Sequence, residues 1–247
     1  MTSRRSSGLT LTFAIAVLVL GAASVGIAQR FSEAQIFLEL NDTDDDLGIH
    51  ASIDGEAWTS LKIIGPEGLL LDIFTREGIR TQGLTQLSFE SAEPPFDELS
   101  PARFFRRFPE GRYAISARAL NGSSIRGAAS LSHVLAAPPE NILLNGVPAA
   151  DSCDDPLPTV IAPVTIDWDP VTESHPSVGK QGPVRIVQYQ LFVEGEGPHL
   201  AITLPANITQ FDVPTAVTDG GTQFKFEIIS RASTGNNTAI ESCFLVQ

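Results

Sequence analysis

The chain has 247 residues and a formal net charge of −13. That is length for two modules of about 100 residues each. The acidity excludes nucleic acid and anionic lipid as partners, because both need clustered Lys and Arg, and the three Lys are scattered at Lys62, Lys180 and Lys225. Val, Ile, Thr, Phe, Gly and Pro recur at short intervals, which predicts an all-β protein of short strands and turns.

Residues 1–28 read as a signal peptide. Arg4 and Arg5 precede an uncharged apolar run, Leu9 to Leu20, and a small-residue exit ends at Gly26-Ile27-Ala28. Cleavage there would make the mature chain more acidic by two charges and leave it free of membrane. The competing reading is an uncleaved anchor, since Ser6 to Ala28 is long enough to cross a bilayer. Arg4-Arg5 gives only a weak hint of a twin-arginine signal, and no Cys stands near the cleavage point to make a lipoprotein. The implied location is secreted, periplasmic or cell surface.

Residues 31–136 predict a first β-sandwich domain. Ile36, Leu38 and Leu40 alternate on one face. An acidic turn, Asn41 to Asp46, leads to a strand over Gly48–Ile53, and Asp54-Gly55 signals a turn. Leu61–Ile64, the turn Gly65-Pro66-Glu67-Gly68, Leu69–Phe74 and Leu84–Glu90 continue the pattern. Over 97–108 the period changes: Ser100-Pro101 can open a helix, and Phe104, Phe105 and Phe108 fall at helical spacing. Arg112–Leu120, the turn Asn121-Gly122 and Ile125–Val134 predict a closing hairpin. Ala136-Ala137-Pro138-Pro139 predicts a short, stiff linker.

Residues 138–247 predict a second sandwich. Val164-Thr165-Ile166-Asp167-Trp168-Asp169-Pro170, Ile186–Val193 with Tyr189, and Gly220-Gly221-Thr222-Gln223-Phe224 run in the order of a fibronectin type III domain, which this segment resembles. The resemblance implies two packed sheets with Trp168, Tyr189 and Phe224 as core markers. Phe224 stands where the family carries Tyr, so its corner hydrogen bond is lost. The loop Val178-Gly179-Lys180-Gln181-Gly182 exceeds what a tight connection needs, and no Arg-Gly-Asp sequence supports integrin binding. Cys153 and Cys243 are the only cysteines, and in an exported chain they predict a disulfide closing a long loop. Two free thiols or an interchain bridge is the alternative.

Asp42, Asp44 and Asp46 have the spacing that opens an EF-hand loop, but Leu47 replaces its Gly and Ile53 its final Glu. A solvated acidic turn is the first reading. A looser calcium site using Asp42, Asp44, Asp46 and Asp54 is the second; no other cofactor is implied. His50, His133, His175 and His199 lack metal-site spacing, and no nucleophile elbow or phosphate loop occurs. Asn41, Asn121, Asn207 and Asn236 each open an Asn-x-Ser/Thr triplet.

These features predict a non-enzymatic exported protein acting as an adhesion, spacer or ligand-display module toward a protein or glycan. A carbohydrate-binding accessory protein is one rival, requiring aromatics such as Trp58 and Tyr113 on a solvent face. A secreted hydrolase gathering His and carboxylates from both modules is the other.

Overall fold

Alternation of Ile36, Leu38 and Leu40 with more polar neighbours gives a strand that buries one face, and this pattern recurs along the chain. The computed structural model describes residues 29–219 and 221–247; the predicted leader lies outside them. The first half contains β1 (Gln29–Arg30), β2 (Glu33–Asn41), β3 (Asp46–Gly65), β4 (Gly68–Phe74), α1 (Glu77–Gln82), β5 (Leu84–Glu90), α2 (Pro101–Arg107), β6 (Gly111–Ala119) and β7 (Ser124–Leu131). The second contains β8 (Leu143–Leu144), β9 (Val147–Pro148), β10 (Thr159–Val160), β11 (Val164–Asp167), β12 (Ile186–Glu194), β13 (Leu200–Pro205), β14 (Gln210–Val213), α3 (Thr215–Thr218), β15 (Gln223–Ala232) and β16 (Asn237–Val246). The protein is all-β, with its sheets layered as sandwiches. Among the described residues, no helix is long and apolar enough to cross a membrane.

Two hydrophobic clusters define two lobes. Trp58, Phe104, Tyr113 and the inward residues of β2 and β3 fill the first. Trp168, Tyr189, Phe224, Phe226 and Phe244 fill the second. Trp168 packs edge-on against Tyr189, with ring centroids 5.4 Å apart, and Phe224 stacks on Phe244 at 5.6 Å. In the first lobe Tyr113 donates its O–H to the Pro109 carbonyl at 3.0 Å.

Asp54-Gly55 is not a turn. Both residues lie inside the 20-residue strand β3, where pairing to β5 shifts register between Asp54 and Trp58. The irregularity bends the strand, so its first half pairs with β2 and β5 and its second with β6 and β4. Gly55 packs closely there, since a Cβ would stand 3.0 Å from the Phe31 ring. Helix α2 begins as its Ser-Pro signal predicts, with Pro101 in the first turn and Phe104 buried. The structure adds α1 and α3, which at six and four residues are too short to register a helical period.

The lobes are joined through a sheet. Strand β16 pairs in parallel with β2, Asn237 to Glu39, Thr238 to Leu40 and Ala239 to Asn41. A 12-stranded sheet therefore runs from β1 in the first lobe to β13 in the second. The linker is packed into this junction: Ala136 is buried, bridges to Ser174, and accepts the Thr238 hydroxyl at 2.9 Å.

Candidate functional site

The junction concentrates buried polar contacts. Asn236, 1% exposed, sits in the β15–β16 hairpin. Its Oδ1 accepts the Leu38 N–H at 2.9 Å, and its Nδ2 donates to the Ser132 and Val134 carbonyls at 2.8 and 3.0 Å. One amide thus ties β2, the end of the first lobe and the last hairpin together. Thr43 exchanges hydrogen bonds with Glu241, its hydroxyl donating to the carbonyl at 3.1 Å and accepting the N–H at 2.9 Å.

The long loop before β12 is a strap onto the first lobe. Val178 inserts into the first lobe's hydrophobic cluster, Lys180 N–H donates to the His133 carbonyl at 2.8 Å, and Lys180 Nζ pairs with Glu110. Gly179 has φ +80, and a Cβ there would meet the His133 oxygen at 2.2 Å, so only glycine allows this approach. His175 anchors the strap. Its Nδ1 accepts the Ser177 and Val178 N–H groups at 3.2 and 2.9 Å, which leaves Nε2 protonated to donate to Asp42 Oδ1 at 2.7 Å.

The four aspartates proposed for calcium are not brought together. Asp42 is engaged by His175, Asp44 Oδ2 accepts from Asn41 at 3.1 Å, and Asp54 accepts from Ser32. Asp54 lies eight residues along β3 from Asp46, roughly 26 Å in an extended strand. Asp46 Oδ1 is buried without a partner, and burial, then the Glu93 and Asp44 charges, pushes that carboxyl up to about 6.

Cys153 and Cys243 form the disulfide, across a sequence separation of 90. Cys153 lies in the turn between β9 and β10, so the bridge fastens a loop to β16.

The outward face of the shared sheet carries a ladder across the junction. His50 stacks on Phe37 with centroids 5.2 Å apart, and the Arg231 guanidinium lies over Phe37 at 4.7 Å. Beside it stand Glu39, Glu227 and Glu241. Glu227 is directly opposite Glu241 in the ladder; burial, then the charges of Glu39 and Glu241, raises Glu227 to about 7. Lys225 pairs with Glu241 at 2.7 Å.

His50 also meets Glu93 at 3.0 Å, with Glu90 in the same group. Burial lowers the His50 pKa, but the Glu93 hydrogen bond and the Glu39, Glu93 and Glu90 charges outweigh it, and the net shift is upward. This cluster has no signature in sequence spacing, because Glu93 is 43 residues from His50. Only the β3–β5 register reveals it.

A cleft of about 770 Å³ opens at the junction beside the acidic turn, lined among others by Asp42, Pro138, Ile142, Ile240 and Ser242. The aromatics required for a glycan platform are not on the surface: Trp58 is fully buried and Tyr113 is 2% exposed. Both are core residues because each packs inward from its strand.

Fold and junction together define a two-lobed, disulfide-bonded β-sandwich protein. No family model matches the chain. No curated protein matches it. Among solved structures it is similar to part of a 1.5-MDa bacterial ice-binding adhesin, studied for host cell surface retention, at 13% identity over 89% of this chain and 65% of that one, with a TM-score of 0.26. A tetra-tandem repeat in the extending region of a large adhesion protein aligns at 12% identity over 87% of this chain and 50% of that one, TM-score 0.27. Tp47, the 47-kilodalton lipoprotein of Treponema pallidum, aligns at 9% identity over 87% and 50%, TM-score 0.38. The chain therefore spans about two thirds or half of these three structures, and TM-scores this low transfer no function.

Proposed function

We propose that this chain is a non-enzymatic exported protein that serves as an adhesion, spacer or ligand-display unit, with a fibronectin type III-like second lobe. The observation that carries this reading is the parallel β2–β16 pairing, which makes two lobes one continuous sheet. A spacer must hold orientation without a hinge. Two domains joined only by a linker move relative to one another by default; pairing reinforced by Asn236 and the His175 strap opposes that motion. The Cys153–Cys243 bridge supports an oxidising compartment. The junction cleft, between the acidic turn and Pro138-Pro139, is the concave surface offered to a protein or glycan partner.

The hydrolase alternative would need a base at the junction. His175 and Asp42 meet there, but both ring nitrogens of His175 are committed, so this pair offers no lone pair to accept a substrate proton.

The test is retention under shear. Beads coated with the chain are passed over cell and glycan surfaces, against beads carrying an acidic single-lobed control. Retention that rises with surface density of the chain supports the reading. Catalytic turnover of ester, peptide or glycoside substrates, abolished by substituting a polar cleft residue, would overturn it.

A further inference from the structure

Strands β3 and β5 are in register so that His50 faces Glu90 directly. The chain leaving β5 then folds back, and Glu93 reaches the same imidazole, Oε1 standing 3.0 Å from Nε2. The nitrogen and the two carboxylates lie within 4.8 Å of one another.

This approach depends on a missing side chain. Gly48 shares the outward face of β3 with His50, two residues away, and a Cβ there would fall 1.7 Å from Glu93 Oε1. Glu93 thus lies across the strand in the notch Gly48 leaves open, and a Cβ there would displace its carboxyl. Strand alternation puts Asp46 on the other side of that notch, where its Oδ1 is buried and unpartnered. The His50 ring is itself held by stacking on Phe37. Among the described residues, the ion pairs of Lys62, Lys180 and Lys225 go to Asp72, Glu110 and Glu241, and none reaches Glu90, Glu93 or Asp46.

We propose that His50, Glu90 and Glu93 form a binding site for a divalent transition-metal ion of the zinc type. An imidazole nitrogen with carboxylate oxygens suits Zn²⁺, whereas Ca²⁺ and Mg²⁺ prefer all-oxygen sets. With metal–ligand bonds of about 2.0–2.2 Å, tetrahedral donors stand roughly 3.4 Å apart. Closing from the present grouping to that spacing would fall to the exposed Glu90 side chain. Three protein donors leave a fourth position for water or for a donor from a binding partner. The proposal is independent of the adhesion reading, since it concerns ion binding by the isolated chain.

The experiment is calorimetric titration of the tag-free chain with Zn²⁺ at neutral pH, alongside thermal melting. The expected result is one saturable Zn²⁺ per chain, with a Tm rise of about 5 °C or more at a hundredfold excess over Kd. His50→Ala, Glu93→Gln and Glu90→Gln should each weaken binding at least about tenfold, while Asp42→Asn leaves it unchanged. Glu90 is exposed, so Glu90→Gln keeps the metal-free Tm and carries the test if His50→Ala fails to fold. No saturable Zn²⁺ binding, binding that survives Glu90→Gln and Glu93→Gln unaltered, or tighter binding of Ca²⁺ than of Zn²⁺ would overturn the assignment.

Discussion

His175 Nε2 donates to Asp42 Oδ1 at 2.7 Å, joining residues 133 positions apart and clasping the strap of the second lobe to the acidic turn of the first. The ring is buried, and its other nitrogen holds two backbone N–H groups of the strap. Replacing His175 by Ala removes three hydrogen bonds and strands two donors. The expected loss is about 2–4 kcal/mol, read as a lower urea midpoint, with faster proteolysis between residues 172 and 182. Asp42→Asn keeps an acceptor oxygen and should cost less than about 1 kcal/mol.

Asn236 is the second clasp. Asn236→Ala leaves the buried Leu38 N–H and two carbonyls unpaired, and denaturant unfolding should show a loss of about 2–3 kcal/mol. Asn236→Asp should be worse than Ala, because an acceptor-only carboxylate would face the Ser132 and Val134 oxygens. Equal stability of the two variants would contradict this account.

The disulfide closes a loop across 90 residues. Loop-entropy arguments set its contribution at about 4–5 kcal/mol as an upper bound. The double variant Cys153→Ser, Cys243→Ser should therefore melt well below the native chain while keeping its β-sheet signal at low temperature. Circular dichroism across the melt measures both.

Stability should fall as pH rises through the neutral range. Glu227 titrates near 7 in the folded chain, against about 4.5 when unfolded. Between those values the folded state binds more protons, so each step upward in pH disfavours folding, and the penalty is complete above 7. At His50 burial lowers the pKa, but the Glu93 hydrogen bond and the neighbouring carboxylates outweigh it, and the net rise pushes in the same direction. Glu227→Gln should flatten much of this slope and stabilise the protein at pH 8 by about 1–2 kcal/mol after solvent screening is allowed for. Urea midpoints at pH 5 and 8 test it; an unchanged slope would rule out Glu227 as its source.

What the sequence by itself determined is local. Period-2 alternation set most strands of the first lobe, Ser100-Pro101 set the start of α2, and Trp168, Tyr189 and Phe224 marked the second core, because burial on one face of an element is written in adjacent residues. Where local signals conflicted with packing, they misled. Asp54-Gly55 has turn chemistry, yet it lies inside one long strand whose pairing shifts register there, between Asp54 and Trp58. Trp58 and Tyr113 read as candidates for a glycan surface, but the first core needs their volume. Only tertiary structure decided the rest: the fusion of two lobes at β2–β16, the use of Val178 to Gly182 as a strap, and the meeting of His50 with Glu90 and Glu93. Those contacts join residues 40 to 198 apart, and strand register and lobe docking set them, which no spacing within a segment encodes.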